Sequence, residues 1–136
     1  ISLPKGKYSK LKPNLNDKKD IINGLKALKK TNGYSHVQGV VMRNNKVVAL
    51  EESEGTEKML SKIRKDSNKN NGVLIKYPKK KQDPRIDLPT IGLDTLKQCK
   101  KAGIKGVVLK HKMNFFLDKK SSIEFANKNK MFILVK

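Results

Sequence analysis

The segment LDTLKQCKKAGIKGVVLK, residues 93–110, shows a helix pattern followed directly by a strand pattern. Asp94 is typical of a helix start, and Gly103 is typical of a helix end because glycine adopts left-handed backbone without a steric penalty. Residues 106–110 form a short apolar run, typical of a buried strand. We therefore predict a helix that Asp94 caps and that ends at Ala102, followed by a strand.

The same alternation runs through the rest of the chain. Helices are predicted at 17–30, capped by Asn16, at 56–66, and from Asp118 onwards. Arg43-Asn44-Asn45 predicts a hairpin turn, because asparagine tolerates positive φ. The remaining strand predictions are 37–42, 46–50, 72–76, 114–117 and 131–135. This order predicts a single α/β domain with a mixed sheet flanked by helices.

Length and apolar content limit the class of protein. The 136 residues suit one domain. Residues 1–16 hold two prolines and no periodicity, so we expect a linker or N-terminal arm before a domain over 17–136. No apolar run approaches the roughly 18–20 residues that cross a bilayer. The single cysteine, Cys99, shares a helix face with Leu96; it predicts a core thiol and fits a reducing cytosol.

The charge balance is strongly basic. The formal net charge is +20, from 29 lysines and 3 arginines against 12 acidic residues. Surfaces that read bases favour arginine, whose planar fork bonds bidentately, so specific nucleic-acid binding is disfavoured. Two interpretations stay open: a Lys- and Asn-biased solvated surface, or attraction to an anionic partner. That partner is a phosphorylated substrate, an acidic membrane surface or nucleic acid.

Six of the twelve acidic residues fall in two short segments, EESEGTE (51–57) and QDPRID (82–87). Each segment follows a predicted strand, and sites in open α/β sheets gather at the carboxyl ends of strands. Carboxylates there are suitable ligands for Mg²⁺. The alternatives are a helix cap with acidic first-turn residues for EESEGTE, and a surface loop with an Asp–Arg pair for QDPRID.

Spacing restricts the metal model. Four extended residues span about 13 Å, so Asp83 and Asp87 cannot bind one ion unless the loop folds back. A metal site therefore combines one of them with Glu51 or Glu54. Pro84 and Pro89 restrict the residues before them and so favour a rigid loop. The two histidines, His36 and His111, are isolated in sequence and are predicted to be structural.

Several short motifs together resemble a known family. They are Gln38, ALE (49–51), EGTE (54–57), GVLIK (72–76) with Pro78 and Lys79, Gln82-Asp83, Arg85, DLPTIG (87–92), and AGI (102–104) with Gly106. In order and spacing the chain resembles the C-terminal domain of the LpxI-type UDP-2,3-diacylglucosamine pyrophosphatases, over roughly residues 3–135. Lys80 departs from the family pattern, as do residues 34–37 and Lys110-His111-Lys112, where the family commonly has Glu-Ala-Gly.

The resemblance implies an activity and its partners. Such enzymes hydrolyse the pyrophosphate of UDP-2,3-diacylglucosamine to UMP and 2,3-diacylglucosamine 1-phosphate in lipid A biosynthesis, with Mg²⁺ as cofactor. It also implies a further N-terminal domain of the same protein, so we expect residues 17–136 to be a C-terminal catalytic domain that is inactive alone. The expected location is cytoplasmic and peripheral at an anionic inner-membrane surface. A homodimer is compatible with this reading.

The resemblance also implies roles for individual residues. Asp83, Arg85 and Asp87 are the predicted catalytic residues, and the predicted metal ligands are Glu51, Glu54, Asp83 and Asp87. The predicted substrate-binding residues are Gln38, Gly55, Thr56, Lys76, Lys79, Gln82 and Thr90. Two other functions stay open: a non-catalytic module that binds sugar nucleotide or phospholipid, and a basic nucleic-acid-binding domain.

Overall fold

In the part of the chain that the structure describes, a six-stranded mixed sheet, a two-stranded sheet and four helices form the fold. The computed structural model describes residues 3–30, 39–51, 54–65, 70–78, 89–112 and 114–136. The elements are β1 (Gly6–Lys7), α1 (Leu15–Lys30), β2 (Gly39–Arg43), β3 (Lys46–Leu50), α2 (Thr56–Ser61), β4 (Val73–Lys76), β5 (Thr90–Ile91), α3 (Leu93–Lys101), β6 (Gly106–Leu109), β7 (Phe115–Phe116), α4 (Lys119–Lys128) and β8 (Phe132–Val135).

The sheet order is β1-β8-β6-β4-β2-β3, with β5 and β7 forming a separate two-stranded sheet. Strands β4, β6 and β8 are parallel, whereas β2 is antiparallel to both β3 and β4. Strand β3 therefore runs in the same direction as β4, and the carboxyl ends of β3, β4, β6 and β8 meet at one edge. The predicted α/β domain with a mixed sheet is confirmed.

Helices cover both faces of the sheet. Ile21 and Leu28 of α1 pack with apolar side chains on one face, while α2, α3 and α4 supply the core on the other. Strands buried on both faces read as continuous apolar runs, which explains why β4 and β6 have no alternating pattern. Cys99 lies in this core and is fully buried, as predicted. Among the described helices, none has the length and apolar content to cross a membrane.

Two predicted helix starts were wrong by one or two residues. Helix α1 begins at Leu15 because Asn14, not Asn16, caps it: the Asn14 side-chain oxygen accepts from the Asp17 N–H at 2.8 Å, and the Asp17 carboxylate accepts from the Asn14 N–H at 2.9 Å. Helix α3 begins at Leu93 with Gly92 at the cap position, which leaves Asp94 in the first turn. The predicted start at Asp118 is confirmed for α4.

Helix ends depend on tertiary contacts. Helix α2 was predicted to reach residue 66 but ends at Ser61. Beyond it, the N–H groups of Lys62 and Ile63 donate to the carbonyls three residues earlier, those of Met59 and Leu60, instead of four residues earlier as in an α-helix. The Arg64 carbonyl then bonds the Arg43 side chain instead of a helical N–H. At the end of α3, Gly103 has φ 77° and the Ile104 N–H donates to the Cys99 carbonyl at 2.8 Å, as the glycine signal predicted.

The N-terminal arm packs into the domain and contributes β1, at the edge of the main sheet. Gly6 and Lys7 pair with Val135 and Leu134 of β8, and the Leu3 side chain is 1% exposed. Buried Asn114 holds this arm: its side chain accepts from the Leu3 N–H at 2.9 Å and donates to the Leu3 and Lys110 carbonyls. The arm and the segment after β6 are thereby fixed together at the carboxyl edge of the sheet.

Candidate functional site at the carboxyl edge of the sheet

A buried polar cluster of Glu51, Thr56 and Lys76 lies where β3 and β4 end. Glu51 directly follows β3, Lys76 is the last residue of β4, and Thr56 is the first residue of α2. The Lys76 ammonium donates to the Thr56 hydroxyl at 2.5 Å and lies 3.4 Å from Glu51 Oε1. The Thr56 hydroxyl donates to the same carboxylate oxygen. These three residues are called the Glu51–Thr56–Lys76 cluster below.

The backbone holds the cluster tightly. The Glu51 N–H donates to the Gly39 carbonyl at 2.9 Å, which extends the β2–β3 pairing by one residue. A side-chain carbon at Gly39 would lie 3.1 Å from Glu51 Oε1, so glycine leaves the space that the carboxylate occupies. Gly55, with φ 92°, sets the entry into α2 and so directs Thr56 at Glu51. A side chain at Gly39 would crowd the carboxylate, whereas one at Gly55 would have space but would strain the backbone at its positive φ.

Burial makes the cluster chemically informative. The side chains of Lys76 and Glu51 are 8% and 7% exposed. Withdrawing two charges from water costs free energy that one ion pair recovers only partly, so a buried pair is weak evidence for a stabilising role. The pair does lie at the carboxyl ends of two strands, where open α/β sheets form their ligand sites. An ammonium group carries three donors and suits phosphate oxygens.

Glu54, a predicted metal ligand together with Glu51, has different surroundings. Its carboxylate pairs with Lys62 at 3.2 Å, and both side chains are about half exposed. Glu54 and Gly55 line a cleft of ≈ 330 Å³ between β3 and α2, together with Leu50 and Met59. The cleft adjoins the cluster through the chain neighbours Leu50–Glu51 and Gly55–Thr56. The structure thus places Glu51 in a buried ion pair and Glu54 on a cleft wall.

The other predicted residues fall into two groups. Thr90 lies in β5, where it pairs with Phe115 of β7, and it is exposed. Six predicted site residues lie outside the described residues, and their roles stay predictions: Gln38, Lys79, Gln82, Asp83, Arg85 and Asp87. Residues 79–88 join Pro78, two residues after Lys76, to Pro89 at the start of β5. The predicted catalytic segment is therefore connected directly to the cluster's own strand.

The described residues do not by themselves form a magnesium site. Across that part of the chain, no group of three or more histidine, cysteine, aspartate or glutamate side chains comes together. Glu51 is a suitable oxygen ligand, but its Oε1 already bonds Thr56 and Lys76. A cation at Glu51 would have to displace the Lys76 ammonium. Further ligands would have to come from the predicted Asp83 and Asp87.

The surroundings of His111 and Cys99 shift the pKa of the two side chains in opposite directions. Burial and the neighbouring ammonium groups of Lys5, Lys112 and Lys110 lower the pKa of His111. Burial raises the pKa of the Cys99 thiol to about 12, so the thiol stays protonated at neutral pH. The sequence did not reveal the buried Glu51–Lys76 pair. The only local signal was that each charged residue ends an apolar run.

Comparison with known proteins gives two matches. The family model of the LpxI C-terminal domain matches residues 4–134. A curated relative, the UDP-2,3-diacylglucosamine pyrophosphatase LpxI of Caulobacter vibrioides, is 32% identical over 141 aligned residues. The alignment covers 98% of this chain and 50% of that protein, so the chain spans about half the length of the relative.

Proposed function

This chain belongs to the LpxI C-terminal domain family, and from that premise we propose that it is the C-terminal catalytic part of a UDP-2,3-diacylglucosamine pyrophosphatase. The reaction would release UMP and 2,3-diacylglucosamine 1-phosphate and serve lipid A biosynthesis. Its place of action would be the cytoplasmic side of an anionic inner membrane. The buried Glu51–Thr56–Lys76 cluster is the observation that carries the proposal, because it provides a fixed cation at the end of the strand that the QDPRID segment follows in the sequence.

Lys76 would bind a phosphate oxygen of the pyrophosphate. Negative charge grows on these oxygens during cleavage, and a positioned cation in a poorly solvated site stabilises that charge more strongly than water does. Glu51 and Thr56 would act through Lys76, because their contacts hold its ammonium group in one place. Arg85 would bind two further phosphate oxygens at once, because its planar guanidinium can donate two parallel hydrogen bonds.

Asp83 and Asp87 would position the attacking water and hold Mg²⁺. When bound, the ion would neutralise charge on the pyrophosphate and lower the pKa of a coordinated water. One of the two aspartates would take precedence over Glu51 as the ligand, because the Glu51 carboxylate is already engaged by Lys76. The other would position the water, since about 13 Å of extended chain separates the two aspartates. Removing divalent ions with a chelator should abolish UMP release, and added Mg²⁺ should restore it. Full turnover in the presence of the chelator would contradict the magnesium role.

The isolated chain should release UMP slowly or not at all. It spans about half of the relative it matches, and we propose that the remaining length supplies the other wall of the substrate site. UMP release by the 136-residue chain should therefore be compared with release by a protein that also contains the N-terminal half. Equal turnover would show that this half contains the complete site.

The decisive test replaces Lys76 in the longer protein. Lys76→Met should lower kcat by about 10²-fold or more, the usual scale for losing one charge-stabilising group. Lys105→Met is the matched control: Lys105 also pairs with a buried carboxylate, that of Asp17 at 2.7 Å, but it precedes β6 and so lies at the opposite edge of the sheet from the cluster. It should retain near-normal turnover.

A second variant separates catalysis from folding. Lys76→Met alone leaves the Glu51 charge buried and unpaired, which destabilises the fold. Glu51→Gln/Lys76→Met removes both charges, so it should melt near the wild-type temperature and still hydrolyse at least about 10²-fold more slowly. Asp83→Ala, Asp87→Ala and Arg85→Lys should show comparable losses of turnover. Normal turnover in the double variant would remove Lys76 from the catalytic site.

A further inference from the structure

Two large apolar side chains are exposed beyond the carboxyl edge of the main sheet. Phe115 and Leu117 are 41% and 44% exposed. Phe116 between them is 3% exposed and belongs to the core. Alternate residues of a strand point to opposite sides, so Phe115 and Leu117 share the outer side while Phe116 points inward. They form an apolar pair beside the segment that follows β6.

The apolar pair stands on fixed backbone. The Phe115 N–H donates to the Pro89 carbonyl at 2.9 Å, and the Leu117 N–H donates to the Ile91 carbonyl at 2.8 Å. Leu117 also packs closely on Gly92, where an added side-chain carbon would lie 3.1 Å from Leu117 Cβ. Phe115 and Leu117 are therefore exposed although their backbone is held in place by hydrogen bonds.

Lysines flank the apolar pair in the sequence. Lys110 and Lys112 precede β7, and Lys119 and Lys120 follow it. The hydrogen bonds of Asn114 to Leu3 and Lys110 hold the N-terminal arm against this segment. Lys5 of the arm lies near enough for its charge to act on His111, together with the charges of Lys110 and Lys112. None of these lysines forms a salt bridge with an acidic residue that the structure describes. The lysine collar is defined as Lys5, Lys110, Lys112, Lys119 and Lys120.

The residue types on this surface indicate which kind of partner binds it. Interfaces between proteins are depleted in lysine, and a second copy of a chain with net charge +20 would be repelled. An anionic lipid surface attracts lysines and accepts Phe and Leu at the boundary between head groups and acyl chains. Lysine stems are flexible enough to reach phosphates while the apolar pair inserts.

We propose that the apolar pair and the lysine collar dock this chain on an anionic lipid bilayer. Phe115 and Leu117 enter the interface, and the collar contacts lipid phosphates. The biological role of this docking rests on the proposed function, because a diacylated substrate would lie in such a membrane. The Glu51–Thr56–Lys76 cluster is at the same edge of the sheet, so docking would bring that edge towards the lipid.

Vesicle sedimentation of the 136-residue chain tests the proposal. The vesicles are pure phosphatidylcholine, or phosphatidylcholine and phosphatidylglycerol at about 3:1. Phe115→Ser/Leu117→Ser should lower partitioning onto the anionic vesicles by about tenfold, from the apolar area withdrawn from the lipid. Val47→Ser/Val48→Ser is the matched control, because these valines are 48% and 41% exposed on β3, away from the collar. It should bind within about twofold of wild type, as expected for surface changes.

Charge reversal tests the collar separately. Lys112→Glu/Lys120→Glu should reduce anionic-vesicle binding at least about tenfold, because two groups attracted to the lipid phosphates become groups that the phosphates repel. Lys26→Glu/Lys29→Glu makes the same net-charge change on exposed positions of α1 and should bind substantially better than the collar variant. Equal losses in the two variants would mean that net charge alone drives binding, and would overturn the proposal.

Two other results would also overturn the proposal. One is equal binding of wild type to neutral and anionic vesicles. The other is a Phe115→Ser/Leu117→Ser variant that binds vesicles normally but loses a dimer seen by light scattering, which would assign the pair to a second copy. The assay contains no sugar nucleotide, so a failure of the proposed hydrolysis leaves its outcome unaffected.

Discussion

At the scale of single residues, Arg43 shows how a charged group can be structural. It is 8% exposed, and its guanidinium donates to four backbone carbonyls: Asn71 at 2.8 Å, Arg64 at 3.0 Å, Ala102 at 3.0 Å and Gly103 at 3.4 Å. Those carbonyls lie after α2, at the end of α3 and before β4. One planar fork thereby joins three chain segments, which a single ammonium group cannot reproduce.

Arg43→Lys should destabilise the fold without removing a charge. It leaves at least one buried carbonyl without a donor, at a cost of about 1–3 kcal/mol per group. The measurement is the free energy of unfolding in urea. Arg64→Lys is the control, because the Arg64 side chain is exposed and its carbonyl is unchanged; its effect should stay within about 0.5 kcal/mol. Equal stability of the two variants would contradict the joining role of Arg43.

At the scale of elements, helix α1 is tied to the β2–β3 hairpin by a buried carboxylate. Asn44 and Asn45 form the hairpin turn with φ of 51° and 67°, as the sequence predicted. The Asp20 side chain accepts from the Asn45 N–H at 2.7 Å and is 2% exposed. Burial raises the pKa of Asp20, the Asn45 hydrogen bond opposes this rise, and the Asp17 charge adds to it.

This raised pKa predicts a pH dependence of stability. The native state holds the Asp20 proton more tightly than the unfolded state, whose pKa is about 3.8. The resulting stabilisation is complete below that pH and is lost as pH rises through the raised native pKa. Asp20→Asn keeps an acceptor for the Asn45 N–H but carries no charge.

Asp20→Asn should therefore gain stability relative to wild type as pH rises. Free energies of unfolding measured from about pH 3 to pH 7 should show the smallest gain at low pH, where wild-type Asp20 is protonated. The low-pH values provide the internal control for any packing difference between the two side chains. A difference that is constant across this range would contradict the raised pKa.

At the scale of the whole molecule, the net charge of +20 is spread over many elements. Of the described basic side chains, Lys76 and Lys105 form buried or half-buried ion pairs, and most other lysines are exposed. Dispersed point charges attract any polyanion but provide no base-reading geometry. The charge alone therefore predicts general attraction and no sequence-specific nucleic-acid complex.

Binding to nucleic acid should consequently be weak and lost with salt. Fluorescence anisotropy with two unrelated duplexes should give similar affinities that fall steeply between about 50 and 200 mM salt, because binding depends on counterion release. A neutralised control duplex analogue should show little binding. A complex that survives at high salt and prefers one duplex would favour the nucleic-acid alternative.

The sequence by itself determined the class of fold. Alternating helix and strand signals, the Asn44-Asn45 turn and the Gly103 stop depend on local backbone preferences, and local preferences are readable from neighbouring residues. Burial of Cys99 also followed from periodicity alone. The acidic segment after β3 was recognisable as a candidate site for the same reason, since strand ends and their polar followers are adjacent in sequence.

Only the tertiary structure decided which side chains meet. Glu51 joins Lys76, 25 residues later, because β3 and β4 run in the same direction on either side of β2 and end at one edge. Glu54, three residues away in sequence, pairs instead with Lys62. Asn114 reaches Leu3 across 111 positions. Such contacts depend on strand order and register, which backbone hydrogen bonds between distant segments set, and no local pattern encodes them.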